Sequence, residues 1–238
     1  MNRSSSPFRW RHYAPDVILL CVRWYCRYQL SYRDVEETMR ERGLNVDHVT
    51  IFRWVQRYAP EINKRVRPHL KVSGTSYRVD ETYIKVGKSC KYLYRAVDKE
   101  GQTLEFMLSA KRDVSAAKRF FKKMMRAEHR RLPFSISVDN NAAYPEAFSA
   151  SQAERVVPQD CKLRRVKYLN NVIEQDHRFI KKKARASQCF KRFHTAERTL
   201  EGIESINMMR KGQVKRLDGG DSAGQAKFVA TCSVSPPS

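Results

Sequence analysis

Asp80, Asp139 and Glu174 are the residues whose types and spacing suggest chemistry. Asp80 sits within an alternating, strand-like run, Tyr77-Arg78-Val79-Asp80-Glu81-Thr82-Tyr83-Ile84-Lys85-Val86. Asp139 closes the apolar run Phe134-Ser135-Ile136-Ser137-Val138, and Glu174 lies early in the helix-like stretch from Asn170 to Arg178. Two strand-borne aspartates and one helix-borne glutamate can converge on a pair of divalent cations. Such a pair suits cutting and rejoining a phosphodiester, because both the attacking and the leaving oxygen can be stabilised. On a regular strand Glu81 points away from Asp80, so it is not expected to share the same ion.

Each carboxylate also has a plainer reading. Asp80 could be a surface group on an edge strand, although an unpaired carboxylate in so apolar a strand is costly. Asp139 could cap a helix, and Asn171-x-x-Glu174 resembles a capping box. The joint order of strand, strand and helix favours the catalytic reading. Glu174, His177, Arg178 and Lys181 share one helical face, which places Lys181 two turns from Glu174 and suited to a phosphate. The plainer reading there is one interchangeable basic patch of Lys181, Lys182 and Lys183.

The elements that must position these groups follow from periodicity. Apolar residues at Val17, Leu20, Cys21, Trp24 and Tyr28 predict a first helix. Ser31 and Asp34 form a capping box for a second, with Val35 and Met39 inward and Gly43 ending it. Asp47 caps a third that carries Ile51, Trp54, Val55 and Tyr58 inward and is expected to stop at Pro60. This is a helix-turn-helix pattern whose outward face presents His48, Thr50, Arg53, Gln56 and Arg57, types that contact bases or phosphates. After a linker around Pro68 and Ser73–Ser76, a three-stranded meander turns at Asp98–Gly101. Asp113 then caps a helix with Ala116, Ala117, Phe120, Phe121, Met124 and Met125 facing in. A strand at 134–138, a short helix at 142–148, a weaker strand at 163–167 and the Glu174 helix follow. The order β-β-β-α-β-α-β-α is that of a ribonuclease H-like core, in which the first and fourth strands lie side by side.

The expected fold is therefore an α/β, ribonuclease H-like core with a mixed sheet flanked by helices, preceded by an all-α helix-turn-helix domain. The expected division is 1–72 for the helix-turn-helix region and linker, 73–188 for the core, and 189–238 for a C-terminal helix and flexible tail, with periodicity lost after Gly212.

Composition narrows the partners. The chain has 238 residues and a net charge of +22, which makes a nucleic-acid polyanion the natural partner. Six scattered cysteines without a C-x-x-C pair are expected to be reduced and buried, and no His/Cys spacing suggests zinc. The apolar run Val17–Val22 is cut by Arg23, lacks the flanks of a signal peptide and is too short for a membrane span. A cytoplasmic, membrane-free protein, associated with the nucleoid when bound to DNA, is expected.

Several stretches carry a specific resemblance: Val-Arg-Trp-Tyr-Cys-Arg-Tyr at 22–28, Ser-Tyr-Arg-Asp at 31–34 and Asp-His-Val-Thr-Ile-Phe-Arg-Trp-Val at 47–55. To these are added Val-Asp-Glu-Thr-Tyr-Ile-Lys-Val at 79–86, Tyr-Leu-Tyr-Arg-Ala-Val-Asp at 92–98 and Tyr-Leu-Asn-Asn-Val-Ile-Glu-Gln-Asp-His-Arg at 168–178. From about residue 8 to 212 the chain resembles bacterial insertion sequence six family transposases. It departs at Asn140, where the family usually has Lys or Gln after the aspartate. The resemblance implies a DDE triad of Asp80, Asp139 and Glu174, with Lys181 as the associated basic residue. It further implies Mg²⁺ or Mn²⁺, two per active site, binding of terminal inverted repeats and target DNA, a replicative, cointegrate-forming route, and a homodimer or larger synaptic complex. The alternatives are a non-catalytic helix-turn-helix regulator and a retroviral-type integrase, the latter expected to carry an N-terminal zinc domain.

Overall fold

The computed structural model describes residues 13–166, 171–186 and 190–231. Its contacts divide the chain into two compact units, Lys71–Lys181 and the pairing of Met1–Leu70 with Lys182–Ser238. Among the described residues no helix is long and apolar enough to cross a membrane.

In the Lys71–Lys181 unit, three strands form the meander: β1 (Ser76–Val86), β2 (Ser89–Asp98) and β3 (Thr103–Ser109). The turn between β2 and β3 is held by the Asp98 carboxylate, which accepts from the amides of Glu100 and Gln102, and Gly101 takes a φ of +81°. Then come α4 (Val114–Met124), β4 (Ser135–Val138), α5 (Ala143–Ala153), β5 (Lys162–Arg165) and α6 (Asn171–Ala186). The sheet order is β3-β2-β1-β4-β5, with β1 antiparallel to β2 and parallel to β4. The expected ribonuclease H-like order and the adjacency of the first and fourth strands are both found. Asp113 caps α4 by accepting from the Ala116 amide at 2.8 Å. The α4 face of Ala116, Ala117, Phe120, Phe121 and Met124 packs with Tyr77, Val79, Ile136 and Val138 into one core. That stripe is core, as its spacing implied.

The helical unit contains α1 (Pro15–Arg27), α2 (Tyr32–Arg40), α3 (His48–Val66), α7 (Phe193–Arg210) and α8 (Ser222–Thr231). The Ser31–Asp34 capping box forms in both directions, Val35 and Met39 are fully buried, and Gly43 ends the second helix with a φ of +75°. Asp47 accepts from the amides of Val49 and Thr50 at the start of α3. Three expectations are corrected. The buried face of α1 is Ile18, Leu19, Cys21, Val22, Tyr25 and Cys26, rotated from the expected set, and Tyr28 is exposed. A run as uniformly apolar as 17–22 carries no phase of its own, so the helices packed on it choose the face.

Pro60 does not stop α3, which continues to Val66. Proline removes the N–H that would reach the Gln56 carbonyl one turn back. Arg198 on α7 supplies a substitute, its Nη1 donating to the Gln56 oxygen at 3.3 Å. The segment after Gly212 is not without structure either. Its α8 packs on α1, and the Gln225 amide ties it to the carbonyls of Asp218 and Gly219 at 3.1 and 2.9 Å. The helix lacks an amphipathic period, which is why the sequence did not reveal it.

At Gly202 on α7 an added Cβ would stand 2.6 Å from the Ala59 Cβ and 2.8 Å from the Cys26 Sγ. Helix propensity favours alanine over glycine by about 1 kcal/mol. Overpacking a rigid contact costs about 1–3 kcal/mol. The second effect is expected to win: Gly202→Ala lowers the denaturant midpoint and Gly202→Val lowers it further. A midpoint raised by Gly202→Ala would show that α7 has room to move.

Candidate active site

β1 has 11 residues, but only Ser76, Tyr77 and Arg78 pair with β4. The partner strand ends at Val138, and Asp139 follows at once. Continuing the Ser76↔Ser135 register places Asp80 beside Asp139, at the rim where β4 leaves β1 without a neighbour. The β1 alternation points Tyr77, Val79 and Glu81 into the α4 and α5 side and Asp80 to the opposite side.

Carboxylate oxygens of Asp80, Glu81 and Asp139 nevertheless lie within 4.8 Å of one another. The expectation that Glu81 stays out of reach is thus corrected. Where a neighbouring strand is present, opposite faces are separated by the sheet; past its end, side chains of both faces can meet around the rim. Glu81 is buried there and held by three donors. Arg112 Nε and the Tyr144 hydroxyl both donate to it, and Asn141 Nδ2 reaches it at 3.3 Å. Arg112 bridges further, its Nη2 lying 3.3 Å from Asp139 Oδ2.

Asp80 and Asp139 also accept local backbone bonds. The Glu81 amide donates to Asp80 Oδ1 at 2.9 Å and the Asn141 amide to Asp139 Oδ1 at 3.0 Å. Asn140 enters through its carbonyl, which lies 3.5 Å from Arg165 Nη2. On the other face of β1, α6 brings the buried His177 to Asp80, with Nδ1 3.6 Å from Oδ2. Glu174 is exposed in the first turn of α6, three residues from His177, and is not part of the 4.8 Å group. Residues 167–170, which include the start of the last motif, lie outside the described residues.

Arg112, Asn141 and Tyr144 were missed by the sequence reading. The signal at Arg112 was a cation directly before the helix-capping Asp113, a weak cue in a chain with 47 basic residues.

The other anticipated residues separate clearly. Arg53, Arg57, Arg178 and Lys181 are exposed. His48 is engaged by Glu36, with Nδ1 2.7 Å from Oε2, and Thr50 donates to the capping Asp47 at 2.6 Å. Gln56 is buried instead of outward, donating to Thr199 Oγ1 at 2.8 Å and to the Thr195 carbonyl at 3.3 Å. The extension of α3 and its cover by α7 explain this: the helix has a second packed face. Lys183 is also not part of a surface patch. It is 1% exposed, donates to the Leu30 carbonyl at 2.7 Å and lies 3.7 Å from the Tyr25 ring centre. Burial lowers its pKa to about 8.

The donor set fits a hard divalent cation. It is all carboxylate oxygen, and such crowding is electrostatically unfavourable without positive charge. Burial first, and then the charges of Glu81 and Asp139, push Asp80 up to about 7. The unfolded value is near 3.8, so between the two values the folded chain binds more protons. Stability contributed by Asp80 therefore falls as pH rises from about 4 to about 7. In metal-free buffer, Asp80→Asn should be more stable than wild type at pH 8 by about 1–3 kcal/mol, and the advantage should vanish near pH 4. Melting curves at several pH values check this; a pH-independent difference would remove the crowding account.

Comparison with known proteins gives the family of the chain. A family model described as a DDE domain matches residues 74–213. The transposase for insertion sequence-like element IS431mec of Staphylococcus aureus is 40% identical over 211 residues, 88% of this chain and 91% of that protein. The transposase for IS257 in transposon Tn4003, also from Staphylococcus aureus, matches to the same extent. Among solved structures, the HTLV-2 integrase catalytic core in complex with magnesium is 15% identical with a TM-score of 0.42, covering 55% of this chain and 84% of that one. The BIV integrase core is 16% identical with a TM-score of 0.41, covering 61% and 86%. The matched DDE segment holds Asp80, Asp139 and Glu174, and the alignment with whole transposases runs well beyond it; the chain belongs to the insertion sequence six family of DDE transposases.

Proposed function

We propose that this transposase nicks DNA at the ends of its element and joins the freed 3′ hydroxyl to target DNA, with Asp80, Asp139 and Glu174 holding two Mg²⁺ or Mn²⁺ ions. The observation that carries the reading is the meeting of Asp80 and Asp139 at the rim of β1 and β4, with α6 anchored against Asp80 through His177. Glu174 is the third ligand in preference to Glu81. Glu81 already accepts from Arg112, Tyr144 and Asn141, whereas Glu174 is solvent-facing and one helical turn from His177.

Bound divalent ions would supply charge stabilisation of the attacking and leaving oxygens. The chain's own groups do the rest. His177 orients Asp80, while Arg112 and Asn141 keep Glu81 in place beneath the aspartates. Lys181 lies two turns from Glu174 on the outward part of α6 and binds the substrate phosphate, with Arg178 beside it. The α1–α3 region, within residues 1–72, binds the terminal inverted repeats through Arg53 and Arg57, with His48 and Thr50 at the helix start. Residues 73–188 act as the catalytic core. Replicative, cointegrate-forming transposition by a dimer or larger synaptic complex holding two ends completes the reading.

Replacing Asp80, Asp139 or Glu174 by Ala should abolish Mg²⁺-dependent strand transfer on cognate ends while end binding persists. Glu81→Gln should retain some transfer and lose thermal stability instead. Activity retained in Glu174→Ala but lost in Glu81→Gln would exchange their roles.

Arg53→Ala should weaken binding to terminal repeats. A bidentate base contact predicts a loss of about 1–3 kcal/mol on cognate DNA alone. A phosphate contact predicts a similar loss on any sequence and a salt slope lower by about one. Unchanged affinity on both DNA types in a salt-titrated binding assay would remove α3 from the interface.

A further inference from the structure

The β1–β2 hairpin reaches beyond the rest of its sheet. β4 pairs only with Ser76–Arg78 of β1, and β3 pairs with β2 only from Tyr92 onward. Residues 83–91 therefore form a two-stranded projection, closed by the two-residue turn Gly87-Lys88 between the paired Val86 and Ser89. Gly87 takes a φ of +60°, which suits the first position of a tight hairpin turn.

The projection carries a distinctive surface. Tyr83 is 52% exposed and opposes Tyr92 across the ladder, with ring centres 5.3 Å apart. Lys85 and Lys88 are exposed, and Lys91 is half-buried. Tyr83 stands two residues beyond Glu81 on the same face of β1, about 7 Å further along the strand. Burial lowers the Arg112 pKa, and Glu81, Asp139 and Tyr83 more than reverse this. The aromatic pair thus borders the carboxylate site.

A plain reading explains part of this surface. Lysines on a projecting hairpin discourage edge-to-edge aggregation. They do not explain two tyrosines, one half exposed, on the same projection, since exposed aromatics work against that protection. Aromatic rings flanked by lysines at a phosphodiester-processing site match the way single-stranded nucleic acid is held, with bases stacked on rings and phosphates met by cations.

We propose that this hairpin grips the DNA end: Tyr83, backed by Tyr92, stacks on an unpaired base next to the reacting phosphate, and Lys85 and Lys88 follow the adjoining backbone. The inference rests on the reading of Asp80 and Asp139 as the catalytic pair, because that reading puts the DNA end beside the hairpin.

The test uses the full chain in Ca²⁺ buffer and a duplex with a short unpaired end carrying 2-aminopurine. Wild type should quench the probe and prefer the unpaired end over a blunt duplex. Tyr83→Ala should lose quenching and bind the unpaired end about tenfold or more weakly, leaving blunt-duplex binding unchanged, while Tyr83→Trp restores both. The double change Lys85→Ala, Lys88→Ala should lower the salt slope by about one to two. Absence of quenching by wild type, unchanged quenching by Tyr83→Ala, or equal losses on both probes would overturn the proposal. Strand transfer retained by Asp139→Ala would instead overturn the catalytic reading, and it is scored separately from the stacking signal.

Discussion

The pairing of β1 with β4 stops after three residue pairs, and the arrangement of the acidic groups depends on where it stops. Upstream, the two strands are bound into the core by Tyr77, Val79, Ile136 and Val138. Immediately downstream, the same register holds two aspartates side by side with no strand between them and solvent. A longer β4 would have kept Glu81 on the far side of a closed sheet. Its early end lets groups from both faces approach one another within 4.8 Å.

Bringing three carboxylates together is unfavourable by itself, and the surrounding side chains show how the chain tolerates it. Arg112 contacts Glu81 and Asp139, and Tyr144 and Asn141 donate to Glu81. Asp80 receives less: one local amide and the approach of the His177 ring, with Nδ1 3.6 Å from Oδ2. The result is an uneven site. Glu81 is locked by donors and acts as a strut, while Asp80 stays strained as an anion and favours an added cation. Arg112 also links this chemistry to the start of α4, since the next residue caps that helix.

The helical unit follows a different constraint, close approach of α3 and α7. Gly202 lets α7 lie against Ala59, and Arg198 replaces the hydrogen bond that Pro60 denies to Gln56. Between them, Gln56, Asn63, Thr199 and Ser205 form buried polar bonds. Those bonds favour a specific register, because any slip would leave amides unpaired. They also remove Gln56 from the outward face and leave Arg53 and Arg57 there.

Much of this protein was determined by local sequence. Caps at Ser31, Asp47 and Asp113, the meander turn at Asp98–Gly101 and the alternating strand around Asp80 are each set by interactions spanning a few residues, so they could be read without the fold. The order of these elements implied the adjacency of β1 and β4, and hence of Asp80 and Asp139. Tertiary structure decided the rest. The face buried on α1, the continuation of α3 through Pro60 and the existence of α8 depend on partners more than a hundred residues away, such as Arg198 with Gln56. The burial of Gln56 and Lys183 is of the same kind, and the admission of Glu81 to the acidic group, with Arg112 and Tyr144 beside it, joins residues 31 and 63 positions apart on different elements. Spacing along a chain reports which residues share a helix or strand face, whereas a neighbour supplied by a distant element leaves no periodic trace.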